Sequence, residues 1–289
     1  MDRVVFCFYR GLLKCLSRLG FGILYGFSDL LWVILYGIVG YRKNIVRSNL
    51  AASFPQKSKK ELRAIEKEFY RQLCDNFVEI IKMLTADREM MRKRIVVKNQ
   101  ELVERIAAEG KPVVLLAAHM GNWEWVPSTQ WFYKHPELSG EIYKPLRDIR
   151  TDRILSEIRR RFGSFLIPQK KAYRELVRLR KTEKTFLVGF VADHRPNAME
   201  AKHKTTFLNH KTFFDVGGER IGNRIGAGFL YLDVSKIGRG RYVFEFVPVI
   251  ADVEKDPDYP VMRAYYRLLE ENIRRQPALW LWSHRRWLC

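Results

Sequence analysis

The chain is short of cysteine and of acidic residues, and both shortages narrow what it can be. Its 289 residues hold four cysteines, Cys7, Cys15, Cys74 and Cys289, none at CxxC or metal-ligand spacing. A disulfide framework is not expected in so long a chain with so few cysteines, which points to the reducing side of a membrane. Asp and Glu number 32 against 52 Lys and Arg, giving a formal net charge of +20. Such an excess favours a polyanionic partner: nucleic acid, an anionic membrane leaflet, a phosphorylated lipid or an acidic carrier protein. Nucleic acid is not expected, since the sequence has no RNP, helix-turn-helix or finger pattern. The stretch Gly222–Gly228 lacks GxGxxG order and a suitably placed acidic partner, so it is not read as a nucleotide fingerprint. His194, His203, His210 and His284 show no HExxH or clustered-Cys spacing, so no metal and no cofactor is expected. No Pro/Gly/Ser linker, internal repeat or low-complexity tract divides the chain.

Apolar and aromatic residues are plentiful but unevenly placed. Aromatics make up 13% of the chain, with seven Trp, which fits a protein that meets an interface or holds an apolar ligand. Charged residues at 29% and a mean hydropathy of −0.25 argue against several membrane spans. Residues 3–19 read as a helix with Arg3, Arg10, Lys14 and Arg18 on one arc and Val5, Phe8, Leu12, Leu16 and Leu19 opposite. Phe21 to Gly40 follows as a largely apolar run, long enough as a helix to cover about 30 Å, roughly a bilayer core. Asp29 near its middle is costly in hydrocarbon. The run is therefore either a marginal transmembrane helix or an anchor lying partly in one leaflet, with a buried core helix as the competing reading. A cleaved signal peptide is not expected, because charges interrupt residues 3–19 and no A-x-A site follows.

Beyond residue 40 the pattern alternates. Residues 57–95 read as helical, with Phe69, Leu73, Phe77, Ile80, Ile81 and Leu84 on one face as core. The runs 112–118, 140–143, 165–167, 186–191 and 242–250 read as strands, with charged helical stretches between several of them. This predicts an α/β fold with a mostly parallel central sheet. The simplest division is a membrane-anchoring segment, 1–40, and one catalytic domain, 41–289.

The chemistry concentrates in His119-Met120-Gly121-Asn122-Trp123-Glu124, directly after the apolar run 113–118. A histidine at a strand end can meet a ligand, take a proton from a hydroxyl, and be oriented by a carboxylate. No Ser or Cys adjoins the pair, which favours direct attack by a substrate hydroxyl over a covalent acyl-enzyme. The competing reading is a capping histidine and a solvated glutamate. Arg147, Arg150, Arg153, Arg159, Arg160 and Arg161 form a dense basic stretch, either phosphate-binding forks or a solvated helix face. Asp193 follows the apolar run 186–191 at a second strand end. Trp280, Trp282 and Trp287, beside Arg285 and Arg286, either form an interfacial edge or close the fold.

With its flanks, this block resembles the HxxNWE block of the lipid A biosynthesis late acyltransferases, the lauroyl/myristoyl transferase family. Four further blocks follow that family's order: Tyr41–Leu50 with Ser53-Phe54-Pro55, Tyr143-Lys144-Pro145 through Gly163, Ala192-Asp193-His194, and Trp282–Trp287. The resemblance implies a glycerolipid-acyltransferase-like domain behind N-terminal membrane-anchoring helices. It implies a membrane-associated O-acyltransferase carrying a fatty acyl chain from an acyl carrier protein thioester to a lipid A precursor, a phosphorylated glycolipid acceptor. The place implied is the cytoplasmic face of a bacterial inner membrane, against its anionic leaflet. His119 is then the general base and Glu124 its orienting partner, with backbone or arginine donors stabilising the oxyanion. Asn122, Arg161 and Asp193 are substrate-binding or site-organising, although Arg159 and Arg160 compete with Arg161 for its place. Two alternatives stay open: a lysophospholipid or amino-acid-lipid acyltransferase, and a non-catalytic basic membrane-binding protein.

Overall fold

Parallel strands need crossover connections long enough to bring the chain back, and the helical stretches between apolar runs supply them. The computed structural model describes residues 2–182, 184–196 and 201–287; Cys289 and the side chain of Arg3 lie outside what it describes. The elements begin with α1 (Asp2–Arg18), α2 (Phe21–Trp32, prolonged by a π-helical stretch Val33–Val39), α3 (Lys43–Ser53), α4 (Lys59–Lys82) and α5 (Arg88–Arg94). Then come β1 (Ile95–Lys98), α6 (Gln100–Ala108), β2 (Val113–Ala117), β3 (Leu138–Tyr143), α7 (Ile149–Arg161), β4 (Phe165–Pro168), α8 (Ala172–Arg180) and β5 (Phe186–Val191). The chain ends through β6 (His203–Phe207), β7 (His210–Phe214), α9 (Gly217–Ile225), β8 (Gly228–Gly238), β9 (Arg241–Pro248) and α10 (Pro260–Arg275).

Seven strands form one sheet in the order β1-β9-β8-β2-β5-β3-β4. Every neighbouring pair is parallel except β8–β9, so the mostly parallel α/β fold is present. β2 sits between β8 and β5, and all of its residues are buried. That explains why it reads as an unbroken apolar run without alternation. β5 runs from Phe186 to Val191, the same bounds as the apolar run. β8 was hidden by its glycine-rich approach. Gly228 opens the strand, and a Cβ there would stand 2.8 Å from Ile106, so this glycine serves close packing against α6. The β6–β7 hairpin is separate from the main sheet, and its polar sequences gave little apolar signal.

Helix α4 starts with a capping box in which Ser58 and Glu61 satisfy each other's backbone N–H groups. Its faces are not those the apolar spacing predicts. Phe77 is 52% exposed, while Gln72, Asp75, Asn76 and Glu79 are buried. The buried polar stripe recurs at intervals of three and four, as one helix face requires. It faces the loops that carry the site.

Candidate active site

Two adjacent strand ends build the centre of the site. β2 and β5 are parallel, with Ala117 opposite Val191. Two residues beyond each, His119 and Asp193 emerge side by side, a juxtaposition the register itself imposes. The Ala192 N–H donates to the Ala117 carbonyl at 3.0 Å and holds the two chains together past the sheet. His119 Nδ1 lies 2.7 Å from Asp193 Oδ1, and the His119 backbone N–H donates to Oδ2 at 3.1 Å. Trp280 Nε1 donates to the same Oδ2 at 2.8 Å.

Asp193 is buried. Burial alone would raise its pKa, but the His119 ring and its hydrogen bond, with His194 and Trp280, hold it well below the usual carboxylate range. The carboxylate therefore only accepts, so Nδ1 of His119 is the donor and the ring lone pair lies on Nε2. The ring is fixed on its other sides by aromatic neighbours. His194 stacks on it at 3.9 Å between centroids, His284 stacks on His194 at 4.5 Å, and Trp123 meets it edge-on at 4.9 Å. His194 keeps some solvent exposure. Its packed surroundings and then the neighbouring His119 ring lower its pKa.

Glu124 is placed differently from the expectation that it orients His119. Both its oxygens are occupied by Arg159, with Nε to Oε2 at 3.0 Å and Nη2 to Oε1 at 2.7 Å. The carboxylate on the His119 ring is that of Asp193. The reason lies in the backbone between them. Gly121 has φ +55°, and a Cβ there would meet Val234 at 3.0 Å and Tyr242 at 3.2 Å. The chain turns through this left-handed residue into a 3₁₀ turn, Trp123–Trp131, that carries Glu124 toward α7. Arg159 also lies 3.5 Å from Glu141 of β3. Burial pushes the Glu141 carboxyl up to about 7, with Arg159 pulling it down and Glu124 adding to the rise.

The three consecutive arginines separate, because each step along a helix turns about 100°. Arg159 enters the Glu124–Glu141 cluster. Arg161, which the resemblance favours for the site, is exposed and donates to the Ala86 carbonyl at 3.0 Å. Arg160 and Arg161 line a groove of about 640 Å³ together with Lys14, Asp152, Arg153 and Glu157.

Asn122 supports the loop from beneath. Its Nδ2 donates to Glu79 at 2.8 Å, Asn76 Nδ2 donates to the Gly121 carbonyl at 2.7 Å, and the Gly121 N–H donates to the Leu279 carbonyl at 3.0 Å. Burial raises the pKa of Glu79, while hydrogen bonds from Asn122, Tyr242 and Tyr25 oppose that rise. Glu79 and Asn76 were missed in the sequence, although the polar spacing 72, 75, 76 and 79 was a visible signal. The C-terminal tryptophans close the fold. Trp280 and Trp282 are buried, and Arg286 is buried against Tyr266 and the Phe213 carbonyl. Asn49 of α3 holds the carbonyls of Trp282 and His284 at 2.9 and 3.1 Å, so the opening and closing blocks of the chain meet. Among the described residues, no group of three or more His, Cys, Asp or Glu is arranged to hold a metal ion.

The mostly parallel α/β fold thus carries a carboxylate-bound histidine at the ends of its central strands. The chain belongs to the family of bacterial lipid A biosynthesis acyltransferases, which matches residues 2–289. It is an acyltransferase of lipid A biosynthesis, acting with an acyl donor on a lipid acceptor. No curated protein matches the chain.

Proposed function

We propose that this acyltransferase moves a fatty acyl chain from an acyl carrier protein thioester to a hydroxyl of a phosphorylated lipid A precursor. The site would be the cytoplasmic face of the inner membrane, with residues 1–40 as anchor and 41–289 as catalytic domain. The observation that carries the chemistry is the His119–Asp193 pair, whose geometry leaves Nε2 as the base. The acceptor hydroxyl gives its proton to Nε2 as its oxygen attacks the thioester carbonyl. The C–O bond forms, the C–S bond breaks, and the imidazolium returns the proton to the leaving thiolate. Asp193 stabilises the imidazolium between these steps. Arg159 is committed to Glu124 and Glu141, which gives it the role of holding the loop wall. Glu124 then acts by fixing that wall, and Asn122 by fixing the turn.

The groove at Arg153, Arg160 and Arg161, with Lys14 beside it, supports a phosphorylated acceptor, since arginine forks match phosphate oxygens. An acidic carrier protein fits the +20 charge. The test is turnover by the purified protein with one lipid A precursor and either acyl carrier protein or coenzyme A as thioester carrier. The carrier-protein thioester is expected to be used at least about tenfold more efficiently, through protein–protein charge complementarity. Equal use of both would remove the carrier protein from the reading. Transfer to lysophospholipid but not to the lipid A precursor would remove the acceptor.

A further inference from the structure

The apolar helix is long and apolar enough to cross a bilayer: Phe21–Val39 has mean hydropathy 1.7, and only 11% of its residues are buried. Its attachments are incompatible with crossing one. A spanning helix must leave the residues before Phe21 and those after Val39 on opposite membrane faces, about 30 Å apart. Both are held by the same catalytic domain. On the early side, Arg10 binds Glu157 of α7 through two hydrogen bonds of 2.7 Å, and Lys82 Nζ donates to the carbonyls of Ser17 and Leu19 at 2.9 Å. On the late side, Tyr70 bonds the Tyr41 carbonyl, and Arg42 donates to the Ser283 carbonyl at 3.0 Å.

Between these points α2 lies antiparallel along α4. Tyr36 meets Tyr70, Ser28 Oγ donates to Asp75 at 2.7 Å, and Tyr25 donates to Glu79 at 3.0 Å. Asp29, costly in hydrocarbon, pairs at 2.7 Å with Arg239 from the β8–β9 turn, which also holds Asp75. A midplane position for Asp29 would carry the turn, α4 and their charges into the bilayer core.

The outward side of the segment shows what it meets. Ile23, Phe27, Leu30, Ile34 and Ile38 are between 39% and 77% exposed, and their spacing of three and four makes one continuous stripe. An apolar groove of about 620 Å³ runs beside it, walled by Leu24, Phe27 and Leu31 on α2 and Phe77 and Ile81 on α4. Phe8 and Leu12 of α1 extend the exposed apolar surface. Asp29 and Arg239 sit at the flank of α2, at headgroup level if the stripe faces lipid.

We propose that α1 and α2 lie in the plane of one membrane leaflet, stripe inward, and do not cross the bilayer. This rests on the membrane association proposed above. Phospholipid tails then fill the α2–α4 groove, and the same Glu79 that receives Tyr25 of the anchor receives Asn122 of the site loop.

The test uses the full chain with a protease-cleavable tag at each end, in intact spheroplasts and in inverted inner-membrane vesicles. Both tags are expected to be cut in inverted vesicles and protected in spheroplasts, with at least about a tenfold difference. An N-terminal tag cut only from the spheroplast side would overturn the in-plane arrangement while leaving membrane association intact. Recovery of the protein in the soluble fraction before protease is added would overturn membrane association and this arrangement with it. A second measurement is flotation with vesicles of phosphatidylethanolamine and phosphatidylglycerol. Phe27→Glu with Ile34→Glu, checked for native circular dichroism, is expected to lower the bound fraction about tenfold, since both sit on the embedding face. Unchanged flotation would overturn the stripe as the lipid contact.

Discussion

Two carboxylate–nitrogen-base pairs flank Trp123, and they are alike in distance but opposite in chemistry. His119–Asp193 and Arg159–Glu124 both close to 2.7 Å around a buried carboxylate. An imidazole can gain and lose a proton near neutral pH, whereas a guanidinium holds its charge throughout. The first pair can therefore serve a reaction and the second can only hold shape and field. The carboxylate nearest in sequence to the histidine, Glu124, is thus the one on a guanidinium, and Asp193, 74 residues along the chain, is the one on the imidazole.

The largest expected effect tests the first pair. His119→Ala should lower turnover by about a thousandfold or more, as loss of a general base does, with an unchanged circular dichroism spectrum. Wild-type turnover in this variant would end the assignment. Asp193→Asn should follow at about a hundredfold or more in kcat with little change in acceptor KM, because an amide no longer fixes the imidazole tautomer or stabilises its cation. If Glu124→Gln proved as damaging to kcat as Asp193→Asn without loss of stability, the division of labour between the two pairs would be wrong.

Arg159→Met should instead act first on folding. Breaking a buried ion pair leaves Glu124 uncompensated and costs about 3 kcal/mol, read as a lower denaturant midpoint, with activity falling alongside it. Arg160→Ala, one residue on, should raise acceptor KM a few-fold and leave both kcat and the midpoint near wild type. Equal behaviour of the two variants would mean that the helix does not divide its arginines as the structure places them.

The smallest effect is one of pH. Glu141 has its pKa raised to about 7 in the folded protein, so between its unfolded value and 7 the folded state binds more protons than the unfolded one. Its contribution to stability is complete below the unfolded value and is lost as pH rises through 7, at a rate of at most about 1.4 kcal/mol per pH unit. Thermal midpoints of the protein and of Glu141→Gln should therefore diverge from pH 5 to pH 7, with the native chain falling relative to the variant. Parallel curves would show that Glu141 titrates normally beside Arg159.

Much was written in the chain itself. The unbroken apolar runs of β2 and β5 identify buried central strands, because a strand covered on both faces has no polar positions to alternate. His119 and Asp193 stand at the ends of those runs, so their candidacy followed from sequence. The helical character and exposed apolar surface of the first forty residues were legible for the same reason, the periodicity of a helix against one environment. What sequence could not supply was the choice among equally spaced neighbours. Glu124 and Asp193 were both carboxylates near a histidine, and the pairing was decided by the register that sets Ala117 opposite Val191. Arg159, Arg160 and Arg161 differ only by rotation about α7, and the packing of α7 on β4 turned one of them inward. Asp29 looked like a flaw in a membrane span until Arg239, 210 residues away in the chain, supplied its partner. In each case the deciding contact joins separate parts of the chain, and only the folded chain brings those parts together.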